Sequence, residues 1–309
     1  MKSAKSLSAV ALLCIAAISV AQDKPKEFEA GKPLGAVNEK GEFTPITSNV
    51  KVFGSFRFAE SCTYDATRNL IVVMNAGVSQ EQEKNDGYVS LLNPDGSVHT
   101  TKWIGATRDG LTLNHPLGSA IQGGLLYAAD MDTVRTFDLK TGRPAKDFPV
   151  AGATFLNGIA VTKDGTIYVS NTRPPECVYK ITADGKASTF VEGKPLVNPN
   201  GVAIDPEGNV VVVNVGDNAV MTFDSSGKLI KTEHAAEGGN DGLVILQDGT
   251  KYISSVRFGS VSQIKPGQPA KVIAAGIPSA ASMGYDSKQK QLVIPMNNNN
   301  AVAFVKLTE

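Results

Sequence analysis

Six stretches of about 40 residues, each punctuated at matching offsets by polar or Gly-containing turns, run from near residue 50 to the C-terminus. Few folds accept such a pattern. Segments rich in β-branched and apolar residues lie at 70–75, 125–130, 166–171, 209–214, 250–255 and 291–296. Each follows a turn: Thr67-Arg68-Asn69, Gly123-Gly124, Asp164-Gly165, Glu207-Gly208, Asp248-Gly249 or Gln289-Lys290. Third segments begin at Tyr88, Thr133, Cys177, Ala219, Ser260 and Ala301, and fourth ones lie at 98–104, 145–150, 187–191, 229–233 and 271–274. Four short antiparallel strands per unit is the pattern of a propeller blade. The sixth unit ends after its third strand, while Val50, Lys51, Val52 and Phe53 stand unclaimed before the first. The chain is therefore expected to be all-β, a six-bladed β-propeller closed by pairing an N-terminal strand with the last blade, which removes the open sheet edges. A low aromatic content of 6%, with 30 Gly and 16 Pro, suits many short strands joined by tight turns.

Three regions are expected. Lys2 and Lys5 precede an apolar run from Leu7 to Val20, followed by small residues at Ser19-Val20-Ala21, so residues 1–21 read as a signal peptide. That predicts export, to the periplasm or the exterior, and no stable membrane span after leader cleavage. Residues 22–47 are polar and lack sustained alternation, which predicts a tether or loosely packed arm. Residues 48–309 are the propeller. Without the leader the count is 28 basic against 30 acidic residues, and no basic stripe offers a footprint for nucleic acid. A small-molecule substrate is the expected partner. Cys62 and Cys177 fall on strands of different units and are expected to remain free thiols.

Superposing the six units puts Glu60, Leu117, Asn157, Asn200, Asp241 and Ala281 at one position, the start of each innermost strand, spaced by 57, 40, 43, 41 and 40 residues. In a closed ring these side chains converge on the axis. Two carboxylates and two carboxamide oxygens balance a divalent cation and leave room for water and substrate, so Glu60, Asn157, Asn200 and Asp241 are the expected metal ligands, with Ca²⁺ the best match to hard oxygen donors. Asn-Gly and Asp-Gly are also ordinary turn dipeptides, and Asn157, Asn200 or Asp241 taken singly reads more readily as a turn residue than as a ligand. Glu60, in Ala59-Glu60-Ser61, has no such explanation.

The topology predicts that the 76–86 insertion and the segments 105–116, 172–176 and 234–240 share the channel mouth with this ring, the insertion acting as a polar flap. His115 and His234 are candidate proton carriers there. Arg108, Arg173 and Arg257 are candidates to bind an acidic substrate group. Asn75, Asp130, Asn171 and Asn214, ending second strands, form a candidate outer polar shell. The Asn297 to Asn300 run is expected to turn.

The motifs Ala59-Glu60-Ser61, Leu156-Asn157-Gly158, Pro199-Asn200-Gly201 and Asn240-Asp241-Gly242, in this order and spacing, resemble the gluconolactonase/regucalcin (senescence marker protein) family and its relative diisopropyl fluorophosphatase. The resemblance spans about residues 50–309, and parts of the chain also resemble NHL-type repeat propellers. It implies a catalytic Ca²⁺ or similar ion at the four ring positions and hydrolysis of a lactone or related ester. Glu60-Ser61-Cys62 departs from the family's Glu-Gly-Pro, which bears on the substrate more than on the metal. In that chemistry Asp241 serves as general base or nucleophile, and His115 is a second catalytic candidate. No Gly-x-Ser-x-Gly elbow offers another hydrolytic route. The alternative is a non-catalytic, NHL-like propeller that binds a small ligand or partner protein through the same mouth.

Overall fold

The computed structural model describes residues 32–54, 56–77, 85–105 and 111–307. They form six four-stranded antiparallel sheets and one two-stranded hairpin. The expected propeller is present. Blade one runs Ala59–Asp65, Leu70–Asn75, Tyr88–Leu92 and Val98–Gly105, from the axis outward. Blades two to five repeat that order, beginning at Pro116–Gln122, Leu156–Val161, Pro199–Ile204 and Asn240–Ile245.

Blade six is assembled from both ends of the described chain. Gly284–Asp286, Gln291–Met296 and Ala301–Lys306 come from the C-terminal end, and Val50–Gly54 is the outermost strand. Ala301 pairs with Gly54 and Val305 with Val50, antiparallel. A parallel bridge between Ser61 and Ser282 joins blades one and six beside the axis. Cys62 N–H donates to Ser282 O at 3.0 Å, and Ser282 N–H to Glu60 O at 3.1 Å.

Burial is greatest in the second and third strands of a blade and lowest in the outermost, as strand composition requires. Val210–Asn214 and Ala219–Phe223 are buried throughout because each blade is covered on both faces by its neighbours. The outer strand Leu229–His234 is almost wholly exposed and carries the charges. The core is accordingly a set of apolar layers between blades: Met74, Ile104, Leu126 and Phe137 between blades one and two, and Ile71, Val293, Val302 and Phe304 between six and one. Each fully buried Val, Leu, Ile or Phe contributes about 1.5–3 kcal/mol.

The expectation for residues 22–47 needs correction over their described part. Pro33–Val37 and Phe43–Pro45 form a hairpin that seats on blades five and six. Ala36 and Ile46 are buried, and Ile46 joins the apolar layer of Val261, Ile277 and Ile294. Two glycines permit the contact: a Cβ on Gly259 would lie 2.7 Å from Ala36 Cβ, and one on Gly276 would lie 2.5 Å from Pro45 O. The segment escapes sequence patterning because its strands are short and its apolar residues pack against a distant blade. The leader and residues 22–31 lie outside the described residues. Among the described residues, no helix is long and apolar enough to cross a membrane.

Candidate functional site

The ring side chains reach the axis through a repeated local device. In blades one to five the ladder between the first two strands breaks at the ring position, between Ala59 and Ser61, Pro116 and Ser119, Leu156 and Ile159, Pro199 and Val202, and Asn240 and Leu243. Such bulges turn a strand and re-aim its side chains. Gly118, Gly158, Gly201 and Gly242 follow the ring residues, and none has a positive φ. They are packing glycines, not turn glycines. A Cβ on Gly158 would lie 2.1 Å from Asn200 O, and one on Gly201 would lie 2.4 Å from Asp241 O. In blade one the same place holds Ser61, whose Oγ donates to Leu117 O at 2.6 Å. The turn reading of Asn157, Asn200 and Asp241 is thereby excluded, since all three stand inside innermost strands.

All six ring residues are buried: Glu60, Leu117, Asn157, Asn200, Asp241 and Ala281. Asn200 Nδ2 donates to Asp241 Oδ2 at 3.2 Å. Asn297 Nδ2 donates to Glu60 Oε2 at 2.8 Å. Asn157 Oδ1, Asn200 Oδ1 and Asp241 Oδ1 are buried with no hydrogen-bond partner. Burial holds the Glu60 carboxyl well above the ordinary carboxylate range, the charge of Asp241 adds to this, and the Asn297 hydrogen bond opposes it. Burial pushes Asp241 up to about 7 against the Asn200 hydrogen bond.

Three orphaned buried oxygens and two electrostatically frustrated carboxyls fit a hard divalent cation. Among the described residues no group of three or more His, Cys, Asp or Glu is placed to hold a metal. The donors at the ring are therefore two carboxylates supplemented by carboxamides.

Asn297 is the residue that sequence reading missed. It opens the tight 3₁₀ turn Asn297–Asn299, so the expected turn is present, but its side chain is buried on Glu60. The available signal was a carboxamide directly after Met296, where the other blades have Ala76, Met131, Thr172, Val215 and Val256.

The strand-end shell is also built, and its job is to hold the loops that lead into the ring. Asn75 Oδ1 accepts from Arg57 N–H at 3.1 Å. Asn171 Oδ1 accepts from Thr154 and Phe155 N–H at 2.9 and 2.8 Å. Asp130 accepts from Asn114 N–H at 3.1 Å and from His115 N–H at 2.6 Å, while pairing with Arg135. Asn214 instead donates, to Pro195 O and Asp217 Oδ1.

At the mouth the His115 ring packs between Phe58 and Phe155, with centroids 6.2 and 6.3 Å away. His115 is 4% exposed, and its Nδ1 has no partner. Burial lowers its pKa, against a hydrogen bond to the Ala76 carbonyl and the charge of Asp130. The ring is therefore neutral near pH 7. Arg173 lies over the Phe155 ring at 3.9 Å, exposed at the rim beside His115. Arg257 is exposed and packs its Cβ against Gly239, on the loop before Asp241. His234 is exposed at the end of an outer strand, with Nδ1 3.2 Å from Asn218 Oδ1, and does not join the ring. Arg108 and residues 78–84 of the expected flap lie outside the described residues. Beyond the ring, further along the innermost strands, lies a cavity of about 250 Å³ lined by Cys62, Thr63, Ser119 and Met283 among others. Cys62 and Cys177 are buried free thiols, and burial pushes both pKa values up.

Residues 147–238 match the family model described as SMP-30/Gluconolactonase/LRE-like region. The match takes in Asn157 and Asn200 and stops short of Asp241. A gluconolactonase from Xanthomonas campestris superimposes with a TM-score of 0.64 at 15% identity, over 89% of this chain and 98% of that one. A virginiamycin B lyase from Staphylococcus aureus superimposes with a TM-score of 0.57 at 11% identity, over 84% of this chain and all of that one. At these identities the likeness is one of fold. Actin-interacting protein 1 of Caenorhabditis elegans is 23% identical over 227 residues, 70% of this chain, and the chain spans only 36% of that relative's length. Residues 147–238 thus resemble an SMP-30/Gluconolactonase/LRE-like region, and the six-bladed β-propeller that carries them shares its fold with the gluconolactonase and the lyase.

Proposed function

We propose that this chain is an exported hydrolase of lactones or related esters that works with one divalent cation, Ca²⁺ by its donor set, on the propeller axis. The observation that carries the reading is the ring itself: Glu60 and Asp241 buried together, with the Oδ1 atoms of Asn157, Asn200 and Asp241 unpartnered. Glu60, Asn157, Asn200 and Asp241 would hold the ion. When bound, it supplies polarisation of the substrate carbonyl and stabilisation of the developing oxyanion.

The chain's own residues do the remainder. Asn200 fixes one oxygen of Asp241 and so sets the plane of a carboxylate that would both touch the ion and take a proton from the attacking water. Beside a bound cation the Asp241 carboxyl would stay ionised, as a general base requires. His115, neutral and with Nδ1 open, accepts a proton at the mouth. Phe58 and Phe155 keep water from both sides of its ring. Arg173 beside it is placed to meet a negatively charged substrate group. The leader-like residues 1–21 support export.

The test is metal content and Ca²⁺ affinity of protein purified without chelator, followed by a lactone and arylester screen, for wild type and for Glu60→Gln with Asp241→Asn. One ion per chain and metal-dependent turnover, both lost in the double variant, are expected. Absence of both would favour a non-catalytic propeller that binds a ligand or partner protein, the reading favoured by the match to a protein named for its interaction with actin.

A further inference from the structure

A second cavity, of about 410 Å³, opens at the seam between blades six and one and is lined by Phe56, Arg57, Phe58, Gly77, Asn297, Asn298 and Asn300. It adjoins the ring, because Asn297 lines it while donating to Glu60. Its walls are held in place. Asn300 O accepts from Phe56 N–H at 3.2 Å and Asn300 Oδ1 from Phe58 N–H at 2.7 Å. Ala76 N–H donates to Phe58 O at 2.9 Å, and Asn75 Oδ1 fixes the Arg57 amide.

The polar groups of this cavity are strongly biased. The amide oxygens of Asn297 and Asn300 are already used, by Asn298 N–H at 2.7 Å and by Phe58 N–H. What remains to face a ligand is led by donors, the Arg57 guanidinium and the carboxamide N–H groups of Asn298 and Asn300, beside the amide oxygen of Asn298. Arg57 and Asn298 are exposed, and among the described residues Arg57 forms no ion pair. The edges of Phe56 and Phe58 supply an apolar floor. A guanidinium at the rim, beside carboxamide donors and over aromatic rings, recognises an acceptor-rich anion on an apolar body and does so bidentately.

We propose that this seam cavity is the substrate-recognition pocket of the axial site and selects molecules carrying a free carboxylate on an apolar ring or chain, with Arg57 as the anchor. The assignment to substrate rests on the hydrolase reading, whereas the cavity's preference for carboxylates does not.

The experiment measures binding of phenylacetate and of its neutral isostere phenylacetamide by calorimetry, to the full chain in excess chelator, with no turnover involved. Wild type is expected to bind phenylacetate about tenfold or more tightly than phenylacetamide, as a charge-assisted pair would give. Arg57→Gln should erase that preference, and Asn298→Ala should reduce it. Arg143→Gln, on an exposed turn of blade two, should leave it intact. Equal binding of the two probes by wild type, or an undiminished preference in a folded Arg57→Gln protein, overturns the proposal. A preserved preference in a protein without lactone or ester turnover would instead reject the hydrolase reading and leave a carboxylate-binding propeller.

Discussion

Asn297 and Glu60 stand 237 residues apart in the chain and 2.8 Å apart in the fold, the amide of one donating to the carboxylate of the other at the seam that closes the ring. Closure of the propeller and construction of the site are thus one event: the strand pairing that joins Ala301 to Gly54 also delivers Asn297 to the axis.

Replacing Asn297 with Ala removes the one donor opposing the rise of the Glu60 pKa. Residues that orient metal ligands are typically worth 10–100-fold in affinity, so Asn297→Ala should weaken Ca²⁺ binding by about that factor. Calorimetric titration checks it, and a Tm in chelator close to wild type would separate the effect from unfolding.

The metal-free protein should lose stability as pH rises. Asp241 titrates near 7 when folded and near 4 when unfolded, so between these values the folded state binds more protons and stability falls with increasing pH. Below about pH 4 the penalty is absent, and above about 7 it is complete, of order a few kcal/mol. Glu60, also raised, acts in the same direction. Urea midpoints in chelator from pH 4 to 8 should show the decline, Asp241→Asn should flatten it, and Ca²⁺ should reverse it at pH 7.5.

Gly158→Ala tests the packing role of the ring glycines. A Cβ there would lie 2.1 Å from the Asn200 carbonyl oxygen, which belongs to backbone and cannot swing aside. Overpacking of this kind costs about 1–3 kcal/mol or more. A lowered urea midpoint with weakened Ca²⁺ binding is expected, because Asn157 and Asn200 flank the displaced strands.

Ile46→Ala tests whether the N-terminal hairpin belongs to the folded core. Ile46 is 4% exposed in the layer between blades five and six. Truncation of a buried Ile costs about 2–5 kcal/mol, whereas the same change in a loose tether costs close to nothing. Chemical denaturation distinguishes the two.

Much of the site was legible because it repeats. Turn dipeptides such as Asp164-Gly165 and Asp248-Gly249 mark strand starts by local backbone chemistry, and counting between them put Glu60, Asn157, Asn200 and Asp241 in register before any fold was known. The glycines after those residues were ambiguous for the same reason. Asn-Gly carries one meaning in a turn and another beside a neighbouring strand, and the neighbour of Gly158 is Asn200, a full blade away. Asn297 stands in the sixth unit at a position where the other blades carry no carboxamide, so the repeat pattern did not mark it.

The sequence by itself determined the number of blades, the strands within each, the closing role of residues 50–53 and the identity of the ring, since all of these follow from local propensity and periodicity. Only the tertiary structure decided that Asn297 holds Glu60, that Arg57 and the Asn298 and Asn300 amides edge a cavity at the closing seam, and that a hairpin packs under Gly259 and Gly276. Each of these depends on surfaces meeting across large sequence separation, and whether two such surfaces fit is set by packing and burial rather than by anything written in either segment alone.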